Sequence, residues 1–150
     1  MGKSFSIMQV FITSTNIIET VKQLDPKRFN KQIIETRQIL KALRGESKAW
    51  KNHPCVLQYS NHITWLELYL RCFEEYKIGN FGLALSCSIL ATEHTPLFHT
   101  PEYLTQMKRR LYTKDQEYYK LWSEFGTSDI NWYWVEGEWR YYVAGKRVVI

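Results

Sequence analysis

At 150 residues the chain suits one domain, large enough to bury about 70% of the surface its unfolded form exposes, and 20 Lys and Arg against 15 Asp and Glu leave a formal charge of +5. No run of 18 apolar residues offers a membrane span and the first residues lack the apolar core of a secretory leader, so a soluble, cytoplasmic protein is expected. Cys55, Cys72 and Cys87 form no CxxC pair, and His53, His62, His94 and His99 follow no metal-binding pattern, which points to free thiols, no metal site and no cofactor.

In chain order, Ile7 to Ile12 is an extended apolar opening. Thr15 or Asn16 then caps a short helix through Leu24, with Glu19 placed for a capping box on Asn16. A second helix runs from Pro26 behind an Asp25 N-cap to about Leu43, with Phe29, Ile33, Thr36, Leu40 and Leu43 as its apolar stripe and Gly45 as its stop. Pro54 starts a third helix, behind His53 as an N-cap substitute or a substrate contact. Val56, Tyr59, Ile63, Leu66, Leu70 and Phe73 keep its helical period as far as Gly79-Asn80.

A short helix over Phe81 to Ala91 follows, then one opened by Thr100-Pro101-Glu102 that runs through Met107 to Tyr112, and Asp115 opens another carrying Tyr118, Tyr119 and Trp122. The tail changes period. Asn131 to Val135, Glu136-Gly137, Glu138 to Val143, Ala144-Gly145 and Lys146 to Val149 read as two successive hairpins. The expected fold is therefore mainly α: a single domain over residues 1–150, compact and helical, with a small C-terminal antiparallel β ribbon.

The charge is clustered. Lys27, Arg28, Lys31, Arg37, Lys41 and Arg44 crowd the second helix, and Lys108, Arg109, Arg110 and Lys114 crowd the Thr100 helix. Clustered cations suit a polyanion, whereas a charge run is often only a solvated face, and both readings stay open for Lys108 to Arg110. The six Trp and ten Tyr suit contact with bases or simply fill the core. On the second helix Arg28, Lys31, Gln32, Glu35 and Gln38 recur at three and four residues and share one face. One carboxylate thus stands among cations, which favour its ionised form. The plainer reading is an exposed Glu35 paired with Lys31 at i, i+4.

The order Leu24, Asp25, Arg28, Lys31, Gln32, Glu35, Gln38, Ile39, Leu40, followed by His53-Pro54 and an aromatic-rich end, resembles the pyrimidine-dimer DNA glycosylase family, the endonuclease V family of phage, and is closest to its small bacterial and phage members. The resemblance spans most of the chain, with its specific part between residues 24 and 62. It implies a monomeric DNA glycosylase acting on a damaged or modified pyrimidine in duplex DNA, with an abasic-site lyase activity. The alternative is a nucleic-acid-binding module that kept the fold without the catalysis.

By position, the resemblance implies that Glu35 is the essential carboxylate and that His62 matches a family histidine. Gln38 stands where a family arginine would be, and Trp132-Tyr133 matches an aromatic pair near the C-terminus. Lys27, Arg28, Gln32, Arg37, Gln38, His53, Arg109, Arg110, Trp132 and Tyr133 are the expected DNA contacts. The family nucleophile is a terminal α-amine, but the equivalent segment here begins at Met8-Gln9-Val10. Three attackers stay open: the amine of Gly2 after removal of Met1, the amine of Lys31 beside Glu35, and water activated by Glu35.

Overall fold

The computed structural model describes residues 4–5, 8–145 and 148–149. Residues 8–12 are all buried, yet they join no sheet. A buried segment of that kind must find partners for its backbone N–H and C=O groups elsewhere, and here side chains supply them. Gln32 Nε2 donates to the Gln9 carbonyl (3.0 Å), while Gln32 Oε1 accepts from the Phe11 N–H (2.8 Å). The hydroxyls of Tyr69 and Tyr133 donate to the carbonyls of Phe11 (2.6 Å) and Met8 (2.7 Å).

Helix α1 spans Ile17–Gln23. Asn16 holds its cap position, but the expected capping box is absent: the Ser14 hydroxyl takes the Asn16 N–H (3.1 Å), and the Glu19 N–H goes to the Asn16 carbonyl (3.1 Å). Helix α2 spans Pro26–Leu43 as the sequence indicates. Asp25 precedes it without capping it, because its carboxylate is engaged by the Tyr119 hydroxyl and by Arg28 (3.3 Å). Ile33, Thr36, Ile39 and Leu40 bury the core side of α2, and Gly45 at φ 74° lets the chain leave it.

The expected third helix is two. Helix α3 covers Pro54–Gln58 and α4 covers Ile63–Lys77. The break falls at Ser60-Asn61-His62, whose polar side chains compete with helical backbone bonding, and His62 sits at φ −132°. The bend keeps Val56, Tyr59, Trp65, Leu66, Tyr69 and Phe73 all within the core.

Helix α5 spans Phe81–Thr92 and α6 spans Pro101–Lys114, capped by Thr100 Oγ1 accepting from the Tyr103 N–H (3.2 Å). Asp115 opens a turn instead of a helix, its carboxylate accepting the Tyr118 N–H (3.0 Å), and a 3-10 segment follows at Lys120–Phe125. Tyr118 and Tyr119 therefore precede the helical segment and Trp122 lies within it.

Strands β2 (Ile130–Val135) and β3 (Glu138–Val143) pair antiparallel across Glu136-Gly137. Both turn residues have positive φ, 53° and 77°, as a two-residue turn matched to strand twist requires. Alternation sends Asn131, Tyr133 and Val135 inward. The expected second hairpin does not form. The Ala144 N–H is tied back to the Asp129 carbonyl (2.5 Å), and β4 (Val148–Val149) pairs antiparallel with β1 (Ser4–Phe5). Lys146 and Arg147 lie outside the described residues. The three cysteines are free and buried, and no helix among the described residues is long and apolar enough to cross a membrane.

Candidate active site

Where α2 crosses the buried segment, the end of α6 and the start of β2 close a polar cavity of about 190 Å³, lined among others by Gln9, Arg28, Lys31, Glu35, Lys114 and Asn131. Glu35 forms its wall on α2, with its side chain 13% exposed and its carboxylate 3.6 Å from Lys31 Nζ. Burial raises its pKa above the usual carboxylate value. The charge of Lys31, a hydrogen bond from the Gln9 backbone and the charge of Lys114 pull the other way without cancelling it. This corrects the expectation that cations favour the ionised form of Glu35: desolvation outweighs them. A carboxyl shifted in that direction is better matched to taking and giving protons near neutral pH.

Lys114, the last residue of α6, faces the same cavity. It is an exposed residue, yet its amine is brought down to about 8, first by partial burial in the cleft and then by Arg110, Arg28 and Lys31, with Glu35 alone opposing. The peptide nitrogen of Gln9 is hydrogen-bonded to Glu35. As an amide it has no basic lone pair with which to attack carbon.

Of the residues expected from the sequence, Lys27, Arg28, Lys31, Gln32 and Glu35 line this one cavity. Arg28 is also paired with Asp25 (3.3 Å), and Gln32 is occupied in holding residues 9 and 11. Gln38 is exposed and off the cavity. Arg37 lies on the other flank of α2, in a broader groove of about 870 Å³ against α4, where it is paired with Glu74, as Arg44 is with Glu67 (3.1 Å). That groove is the larger hollow, but two of its four cations, Arg37 and Arg44, are already paired with carboxylates.

Several expected DNA contacts are interior instead. His53 is fully buried, its Nδ1 accepting the Cys55 N–H (3.0 Å) as the cap of α3 and its ring edge-on to Tyr133. Arg110 is 3% exposed and donates to Asn131 Oδ1 (3.0 Å) and the Ser128 carbonyl (2.5 Å), which fastens β2 to α6. Tyr133 is buried with its hydroxyl on Met8. Arg109 donates to the Phe125 carbonyl (2.6 Å) and to Gln106 (3.1 Å), and with half-buried Trp132 it lines a hollow separate from Glu35. His62 begins α4 in a third hollow, and burial lowers its pKa below the usual imidazole value. Gly2 lies outside the described residues.

Three polar cavity residues escape a reading of the sequence. Gln9 sits within an apolar run, Lys114 looks like one more cation of a basic helix, and Asn131 is one polar residue on a strand. Among the described residues, both amide atoms of Gln9 and the Nδ2 of Asn131 are buried without a hydrogen-bond partner. An unmatched buried polar group costs about 1–3 kcal/mol, so the wall of this cavity is less stable than an apolar one would be.

A family model described as pyrimidine dimer DNA glycosylase matches residues 8–77, from the first residue of the buried segment to the last of α4. No curated protein and no solved structure matches the chain. The match takes in Gln9, Arg28, Lys31, Gln32 and Glu35, while Lys114 and Asn131 come from the part beyond it. Residues 8–77, just under half of the chain, are thus similar to the pyrimidine dimer DNA glycosylase family.

Proposed function

We propose that this protein is a DNA glycosylase that removes a damaged or modified pyrimidine from duplex DNA and then acts as a lyase on the abasic site. One observation carries the reading beyond the family match: a buried carboxyl with raised proton affinity, Glu35, in a cavity ringed by Lys27, Arg28, Lys31 and Lys114. The cavity has the volume of roughly six water molecules, smaller than a drug-sized ligand pocket and suited to a single base. An enzyme that cuts a glycosidic bond takes its target out of the stack, and a lesion that has already weakened stacking lowers the cost.

The cations at the rim serve the phosphates on either side of the extruded nucleotide, where affinity comes from charge and counterion release. Glu35, when ionised, stabilises the positive charge that grows on the sugar as the base departs. When protonated it returns a proton to an oxygen set free in the reaction.

The test is a single-turnover assay on a duplex carrying one cyclobutane thymine dimer, with strand breaks read before and after alkali. The expected result is an alkali-labile break at the dimer, part of it already open without alkali. Intact strands with this dimer, and equally with uracil and oxidised pyrimidines, would overturn the proposal.

A further inference from the structure

We propose that Lys114 is the nucleophile, the amine that bonds to the sugar C1′; the inference rests on the base-excision reading above. The cavity holds three lysines, Lys27, Lys31 and Lys114. Lys31 is already paired with Glu35: its ammonium lies 3.6 Å from that carboxylate, and its side chain is 61% exposed. Lys27 stands in the first turn of α2, exposed. Lys114 enters from the end of α6, has no carboxylate within ion-pair distance among the described residues, and meets Arg110 of its own helix with Arg28 and Lys31 of α2. An amine among cations and partly out of water gives up its proton readily. At about 8, its neutral fraction at pH 7 is about one in ten.

The position also suits the chemistry. Glu35 and Lys114 belong to different elements, α2 and α6, so a sugar drawn into the cavity between them is met by the amine and the carboxyl together. The Lys114 Nζ lone pair forms a bond to C1′, and the electrons of the glycosidic bond leave with the base. A proton lost from the new C–N nitrogen neutralises the departing base. The ring oxygen then takes a proton from Glu35 and leaves C1′, and the nitrogen lone pair closes a protonated imine between Lys114 and C1′. Glu35 recovers its proton from solvent.

Borohydride reduces such an imine to a stable cross-link, and an abasic duplex supplies the aldehyde without any need for base excision. With the full chain on that duplex, the cross-link should map to the peptide containing Lys114, and its rate of formation should rise with pH through a midpoint near 8. Lys114→Arg keeps the charge but cannot supply a neutral amine, and trapping should fall at least about a hundredfold, whereas in Lys31→Arg the cross-link should still form and still map to Lys114. Lys114→Cys alkylated with bromoethylamine should regain trapping. Cys55, Cys72 and Cys87 are buried and should not react under native conditions.

A cross-link at Lys31 or at the terminus, wild-type trapping by Lys114→Arg, or no cross-link at all overturns the assignment. The excision reading is tested separately by the dimer-duplex assay. An alkali-labile break without a Lys114 cross-link rejects Lys114 and leaves the glycosylase, whereas a Lys114 cross-link without any break rejects the glycosylase and leaves the amine.

Discussion

Replacing Glu35 by Gln separates its chemistry from its packing, because the amide keeps the shape and loses the charge and the proton. In stability the change is small, since Lys31 is 61% exposed and lies at 3.6 Å, and such an i, i+4 pair contributes about 0.3–0.5 kcal/mol. Against that loss stands relief of the desolvation that raises the Glu35 pKa. The sign follows from the direction of the shift. With the folded value above the ordinary 4.5, the unfolded chain releases the proton first, so Glu35 contributes stability below that value and loses it as pH rises through the folded value.

Glu35→Gln should therefore match or slightly exceed wild-type stability at pH 7 and lose that advantage on acidification, as urea denaturation at several pH values would show. Loss of one preorganised electrostatic group costs about 10²–10³ in rate, so single-turnover cleavage of the dimer duplex should fall by at least about a hundredfold with duplex affinity retained. Wild-type cleavage by Glu35→Gln, or a stability loss beyond about 2 kcal/mol, would refute the reasoning.

Gln32→Leu strands the Phe11 N–H and the Gln9 carbonyl in the core and should cost about 2–6 kcal/mol in urea denaturation, from about 1–3 for each unmatched group; a loss under 1 kcal/mol would mean that the buried segment is held by other means. Gln9→Met removes two buried atoms without partners, so its melting temperature should equal or exceed that of wild type, and a fall of more than about 5 °C would show that the amide has partners within the fold. Replacing Lys27, Lys31 and Lys114 together by Ala should flatten the slope of log affinity against log salt on duplex DNA by up to about 2.7. Arg37→Ala should change that slope far less because Glu74 already pairs with the guanidinium; the reverse ranking would move the DNA face to the α2–α4 groove.

What the sequence could tell depended on how local the cause was. Helix α2 is delimited by Pro26 at its first position and Gly45 past its end, and the β2–β3 hairpin by Glu136-Gly137 between alternating strands, all signals that act within a few residues. Four of the five cavity residues on α2 were legible for the same reason, since helical spacing alone puts Arg28, Lys31, Gln32 and Glu35 together. Arg110 and Tyr133 were not. Their polar ends are turned inward by partners 21 and 125 residues away, and nothing in a run of basic or aromatic residues tells an inward side chain from an outward one.

The raised proton affinity of Glu35 is hidden from the sequence on similar grounds. Spacing shows its cationic neighbours, whereas its burial arises from the segment at residues 8–12 and from α6 and β2, which only the fold brings together. Lys114 carries the same lesson, because two of the three cations that act on it, Arg28 and Lys31, come from α2, far from it in sequence.

The central claim, that a nucleotide enters between α2 and the end of α6 for attack at C1′, is tested most directly by a crystal structure of the Glu35→Gln protein bound to a duplex carrying a cyclobutane thymine dimer. An extruded nucleotide is expected in the cavity, with its C1′ about 3–3.5 Å from Lys114 Nζ and the residue 35 side chain on the α2 wall beside the sugar. A duplex lying along the α2–α4 groove, with the cavity empty of any nucleotide, would contradict it.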